Sequence, residues 1–211
     1  LSLHTSIKVF DGMVDANSFC ELINKIVQFH VDYQTHSIHN ALRLLKRFVK
    51  RSSISEETQQ TVQTLVFSDK LTDFNDTTVA FNVLGMILNK CLKTSEKRLE
   101  TFSRFLELTE VCLGHQIRLG CVLRLIKQFI STKVELSGDL FDNLVSKLLD
   151  LRGHGVNFEI LMCVQNLVLN GDVRIKPFVR EFYPLVFELL EPEDSQTTCG
   201  TIIALVEMIR I

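Results

Sequence analysis

The stretch Leu42-Arg43-Leu44-Leu45-Lys46-Arg47-Phe48-Val49 returns almost letter for letter at Leu123-Arg124-Leu125-Ile126-Lys127-Gln128-Phe129-Ile130. Apolar residues hold its first, third, fourth, seventh and eighth places, which together make one broad face of an α-helix. Looser copies begin at Leu84, Leu161 and Ile203, so the five starts are separated by 42, 39, 38 and 42 residues. The second copy carries Lys90 in its seventh place and the fifth carries Arg210 in its eighth. Self-similarity at this period marks an array in which no unit buries its apolar face alone, so each must stack on its neighbours.

A second pattern precedes these B helices. It reads Leu22-Ile23-Asn24-Lys25-Ile26-Val27, Leu144-Val145-Ser146-Lys147-Leu148-Leu149 and Leu185-Val186-Phe187-Glu188-Leu189-Leu190, the last two lying 41 residues apart. Val62, Leu65 and Val66, and then Phe102, Phe105, Leu106 and Leu108, mark the corresponding A helices of the second and third units. Helix starts are expected at Ser55 with Glu56 and Glu57, and at Ser95 with Glu96, because side-chain oxygens and early carboxylates satisfy the free amides there. Gly114, Gly153, Gly155 and Gly171 fall at expected helix ends, and Pro177 and Pro184 at first turns. No stretch alternates as a strand does. The expected fold is therefore all-α, a right-handed α-solenoid of about five units forming a single domain over residues 1–211.

The chain is 46% hydrophobic and 23% charged, ample for a core and unlike a disordered segment. Its apolar runs are all shorter than the roughly eighteen residues a membrane helix needs. Six cysteines (Cys20, Cys91, Cys112, Cys121, Cys163, Cys199) stand among aliphatic neighbours without paired spacing, which reads as buried, reduced thiols and an intracellular protein, cytoplasmic or nuclear. The start at Leu1 and the stop at Ile211 inside an apolar pattern suggest a piece of a longer protein.

From Val164 the chain reads Val164-Gln165-Asn166-Leu167-Val168-Leu169-Asn170-Gly171-Asp172-Val173-Arg174-Ile175-Lys176, then Tyr183-Pro184-Leu185-Val186-Phe187-Glu188-Leu189-Leu190, Glu193-Asp194 and a last apolar helix. This resembles an armadillo repeat, in which Asn-Leu ends the third helix, a short first helix follows, and Pro-Leu-Val-x-Leu-Leu opens the second. Glu181-Phe182-Tyr183 replaces the glycine that often precedes the proline in that family. Gln116-Ile117-Arg118-Leu119 is similar to the entry of the two-helix HEAT repeat, so the subclass stays open. The resemblance implies that B helices line a concave groove and that Asn166 meets the backbone of a bound peptide.

Asn166 is sixth in its pattern, and that place holds Arg47, Asn89, Gln128, Asn166 and Met208 in turn, a ladder polar in four of five units. The first B helix adds Arg43, Lys46, Lys50 and Arg51 to Arg47, and the third has Arg118, Arg124 and Lys127. Arg43, Lys46, Arg47, Asn89, Arg124, Lys127, Gln128 and Asn166 are the candidate partner-binding residues, although any solvated helix face has a similar composition. Leu88, Leu92, Met162, Leu169, Met208 and Ile211 on the same outward places read as an apolar strip.

His30, His36 and His39 cluster near a turn without a cysteine to complete a metal set, and Asp139, Asp142, Glu191, Glu193 and Asp194 suit helix starts and turns. No nucleophile, phosphate-loop or metalloprotease motif is present. Neither catalysis nor a cofactor or metal is expected. Three roles remain: a scaffold or adaptor that binds an extended or helical segment of another protein; a structural subunit or homo-oligomer packing through the apolar strip; and binding of an acidic partner or nucleic acid through the basic stripe. A net charge of −2 and the absence of interleaved aromatics place nucleic acid last.

Overall fold

A computed structural model describes residues 42, 43, 46, 66, 74–91, 94–190 and 195–210. Every regular element among these residues is helical and none is a strand. No described helix is long and apolar enough to cross a membrane. The chain divides into two compact units after Lys93.

In the first unit, α1 (Phe74–Cys91) contains the B pattern that starts at Leu84. Thr77, Ala80, Phe81, Val83, Leu84, Ile87 and Leu88 are buried, as are Leu42 and Val66. Leu88 therefore does not belong to an outward strip: it lies one helical turn beyond Leu84, where the covered arc of α1 is wide enough to include it. Leu92 and the first A pattern at Leu22 lie outside the described residues.

The second unit opens with α2 (Ser95–Val111), which buries Phe102, Phe105, Leu106 and Thr109 at helical spacing. Its cap is Thr94 rather than Ser95, with the Thr94 hydroxyl accepting from the Lys97 amide at 3.4 Å. Helix α3 (Gln116–Ser131) buries all five apolar places of its pattern, Leu123, Leu125, Ile126, Phe129 and Ile130, together with Leu119 to Val122. Phe129 meets Phe105 edge to face at 5.4 Å, which joins α2 to α3. Helix α4 (Gly138–Asp150) starts at Ser137, whose Oγ accepts from Leu140 at 3.4 Å, and buries Phe141, Leu144, Val145 and Leu148.

Helix α5 (Asn157–Leu169) ends where the Asn170-Gly171 pair predicts. Gly171 has φ +74°; its amide donates to Val168 and that of Asp172 to Leu167, which satisfies the last carbonyls of the helix. A 3-10 segment follows (Val173–Phe182), with Ile175, Val179 and Phe182 buried. Pro177 stands in the middle of this segment and not in a first turn, whereas Pro184 does open α6 (Tyr183–Leu189). Helix α7 (Ser195–Ile209) closes the described chain.

Helix α3 packs on α2 and α5, α5 packs on α3 and α7, and α2 packs on α4. The register between α3 and α5 is visible in two bonds: the Cys163 thiol donates to the Leu123 carbonyl at 3.4 Å, and Asn170 Nδ2 donates to the Ile130 carbonyl. Each joins residues 40 apart, one at mid-helix and one at the C-terminal ends, so the two helices run parallel and side by side. Gln116 Nε2 to the Gly155 carbonyl (2.6 Å), Lys147 to Glu110, and Arg174 Nη1 to the Leu136 carbonyl (3.0 Å) span 39, 37 and 38 residues.

Candidate protein-binding face

In α3 the apolar places of the B pattern point into the packing, so its second, fifth and sixth places face away from it. In α3 these are Arg124, Lys127 and Gln128, of which Arg124 and Gln128 are exposed and Lys127 is half-buried. In α5 they are Met162, Gln165 and Asn166, with Gln165 buried and the other two half-buried. Gln128 and Asn166 hold the same place on the two parallel helices.

Neither end of this face is idle. Arg124 Nε and Nη2 both donate to Glu159 Oε1, at 3.3 and 2.8 Å, tying α3 to the first turn of α5. Charge-assisted pairs of this kind fix geometry more than they stabilise when half-exposed. Glu159 was not a sequence candidate, since nothing in a pattern 35 residues away marks it; only the period, applied to charged residues, could have found it. Asn166 Nδ2 donates to the Met162 carbonyl one turn back at 2.7 Å, which engages one of its two amide hydrogens within α5.

In the first unit Arg43 and Asn89 are exposed on helical backbone and Lys46 is half-buried, while Arg47 lies outside the described residues. The sixth-place ladder does not extend to α7. Met208 is buried, as are Ala204 and Thr201, because those places lie on the side of α7 that packs inward. Gly200 permits this: a Cβ there would stand 3.0 Å from the Phe158 ring of α5. Leu169 is exposed as expected, Met162 is half-buried, and Ile211 lies outside the described residues.

Cys163 and Cys112 are poor nucleophiles. Burial pushes Cys163 up to about 12 and raises Cys112, and Cys121 is buried as well; Cys199 departs from the expected pattern by being exposed. Asp172 is held below its ordinary range by Arg174, whose Nε and Nη2 grip the carboxylate at 2.9 and 2.7 Å while the guanidinium lies 4.4 Å over the Phe141 ring. That cluster caps the 3-10 segment and fixes it to α4. Among the described residues no group of three or more His, Cys, Asp or Glu side chains is arranged to hold a metal ion. His30, His36 and His39 lie outside them.

Comparison of the chain with protein families, with curated proteins and with solved structures returns no match.

Proposed function

We propose that the chain is an armadillo-like or HEAT-like right-handed solenoid of about five units that works without catalysis, as a scaffold gripping a segment of another protein along its B helices. The observation that carries this reading is the parallel pair α3 and α5, joined by bonds between residues 40 apart, with Arg124, Lys127 and Gln128 on one helix and Asn166, in the same place of the sequence pattern as Gln128, on the next. Polar side chains that repeat at a fixed interval suit a ligand that itself repeats, and an extended backbone presents such a series of donors and acceptors. The 3-10 segment between α5 and α6 stands where the armadillo pattern has its short first helix.

The test combines Lys127→Ala, Gln128→Ala and Asn166→Ala, which leaves the Arg124 to Glu159 pair in place. Proteins captured by the wild-type chain should be lost from the variant while helicity and melting temperature hold. Capture of the same set by the variant would move the site elsewhere. Binding to a basic stripe instead of a polar ladder would show as a steep loss of affinity with salt.

A further inference from the structure

Asn170 is the one asparagine of the chain that is followed by glycine. Glycine leaves the backbone nitrogen unshielded and the chain free to bend, so in an open chain the Gly171 nitrogen reaches the carboxamide before it more readily than the nitrogen after any other asparagine. In the structure the same pair closes the end of α5. Gly171, exposed and at φ +74°, donates its amide to the Val168 carbonyl at 2.9 Å, and the Asp172 amide donates to Leu167 at 3.2 Å. Asn170 keeps helical backbone (φ −75°, ψ −7°), and its Nδ2 donates to the Ile130 carbonyl at the end of α3. Both groups that would react are therefore held by other partners while the turn is closed. Just beyond the turn Arg174 grips Asp172 and donates to the Leu136 carbonyl at 3.0 Å, which pins the chain on that side.

We propose that Asn170 is a site of spontaneous deamidation, gated by opening of the turn that ends α5, and that its conversion unlatches α5 from α3. In the open turn the Gly171 nitrogen, its proton taken by solvent hydroxide, attacks Asn170 Cγ; the new N–C bond closes a succinimide, the Cγ–Nδ2 bond breaks, and ammonia leaves with a proton from water. Water then opens the ring at either carbonyl and yields aspartate or isoaspartate. The net reaction consumes one water and releases one ammonia, with no change of oxidation state. The product has no hydrogen to give, so the Ile130 carbonyl, which also accepts from the Lys133 amide at 3.0 Å, faces a negative oxygen in place of a donor. That charge stands at the C-terminal ends of two parallel helices, where the aligned peptide dipoles are already negative. Isoaspartate further lengthens the backbone inside the turn.

Peptide mapping by mass spectrometry of the 211-residue chain, aged at physiological temperature and mildly alkaline pH, tests it. The expected result is conversion at Asn170 to a mixture of aspartate and isoaspartate, with Asn143, Asn157 and Asn166 intact, at a rate roughly tenfold or more below that of the same chain unfolded in urea. Arg174→Ala, which frees Asp172, should speed conversion about two- to fivefold, the effect of losing a half-exposed charge pair. Asn170→Asp should lower the melting temperature by about 2–4 °C. An Asn170 left intact in the folded chain while the unfolded chain converts, or conversion equally fast in both, would overturn the gated site; an Asn170→Asp variant that melts with the wild type would overturn the latch.

Discussion

Gly155 turns the chain between α4 and α5 at φ +75°, and a Cβ there would stand 2.4 Å from Gln116 Nε2, the atom that donates to the Gly155 carbonyl. Two separate penalties meet at this position, a left-handed backbone and an occupied space. Gly153, two residues earlier, has φ +83° and nothing within 4 Å of its Cβ direction, so it carries the first penalty alone. Gly153→Ala should therefore cost about 1 kcal/mol and Gly155→Ala about 2–3 kcal/mol. Denaturant midpoints for the pair check this, and equal losses would mean that Gln116 yields freely. The sequence shows both glycines as helix-end residues. It does not show the difference, because that lies in a side chain 39 residues away.

Two glycines three residues ahead of a B pattern, Gly120 in α3 and Gly200 in α7, look alike in sequence and differ in surroundings. A methyl group on Gly120 would make ordinary contact with the Glu159 carboxyl at 3.6 Å, whereas on Gly200 it would press the Phe158 ring at 3.0 and 3.1 Å. Alanine favours a helix interior over glycine by about 0.5–1 kcal/mol, so Gly120→Ala should stabilise by roughly that amount. Gly200→Ala should lose the gain or reverse it by forcing α7 off α5, and thermal melts of the two variants should move in opposite directions. The contrast shows what periodicity conveys. In α3 the apolar and polar places are distinct, so the buried face was legible before any coordinate. In α7 nearly every place is apolar, and the side the pattern marks for packing is wrong: Ile203, Val206 and Ile209 are exposed, whereas Ala204 and Met208 in its second and sixth places are buried. The same limit explains Leu88, whose burial follows from the width of the covered arc and not from the period. The candidate site was legible only as places on a helix, since the Arg124 to Glu159 and Asn166 to Met162 bonds depend on neighbours that a linear pattern does not name.

If the units stack as proposed, stability is carried between nearest neighbours and falls toward whatever helix has a neighbour on one side only. Helix α5 is held from both sides, by α3 through Cys163 and Asn170 and by α7, whose Gly200 lies against Phe158. Helix α7 has α5 and α6 against it and an open aliphatic face opposite. Its amides should exchange by partial unfolding that leaves α3 and α5 intact. Hydrogen exchange followed by mass spectrometry on peptides from 116–131, 157–169 and 195–209 should give the slowest rates for the first two and faster ones for the third, by about tenfold for each 1.4 kcal/mol of difference in opening free energy. Equal protection in all three peptides would mean that Thr94–Ile211 opens as one cooperative body, and neighbour-to-neighbour stacking would not then describe its energetics.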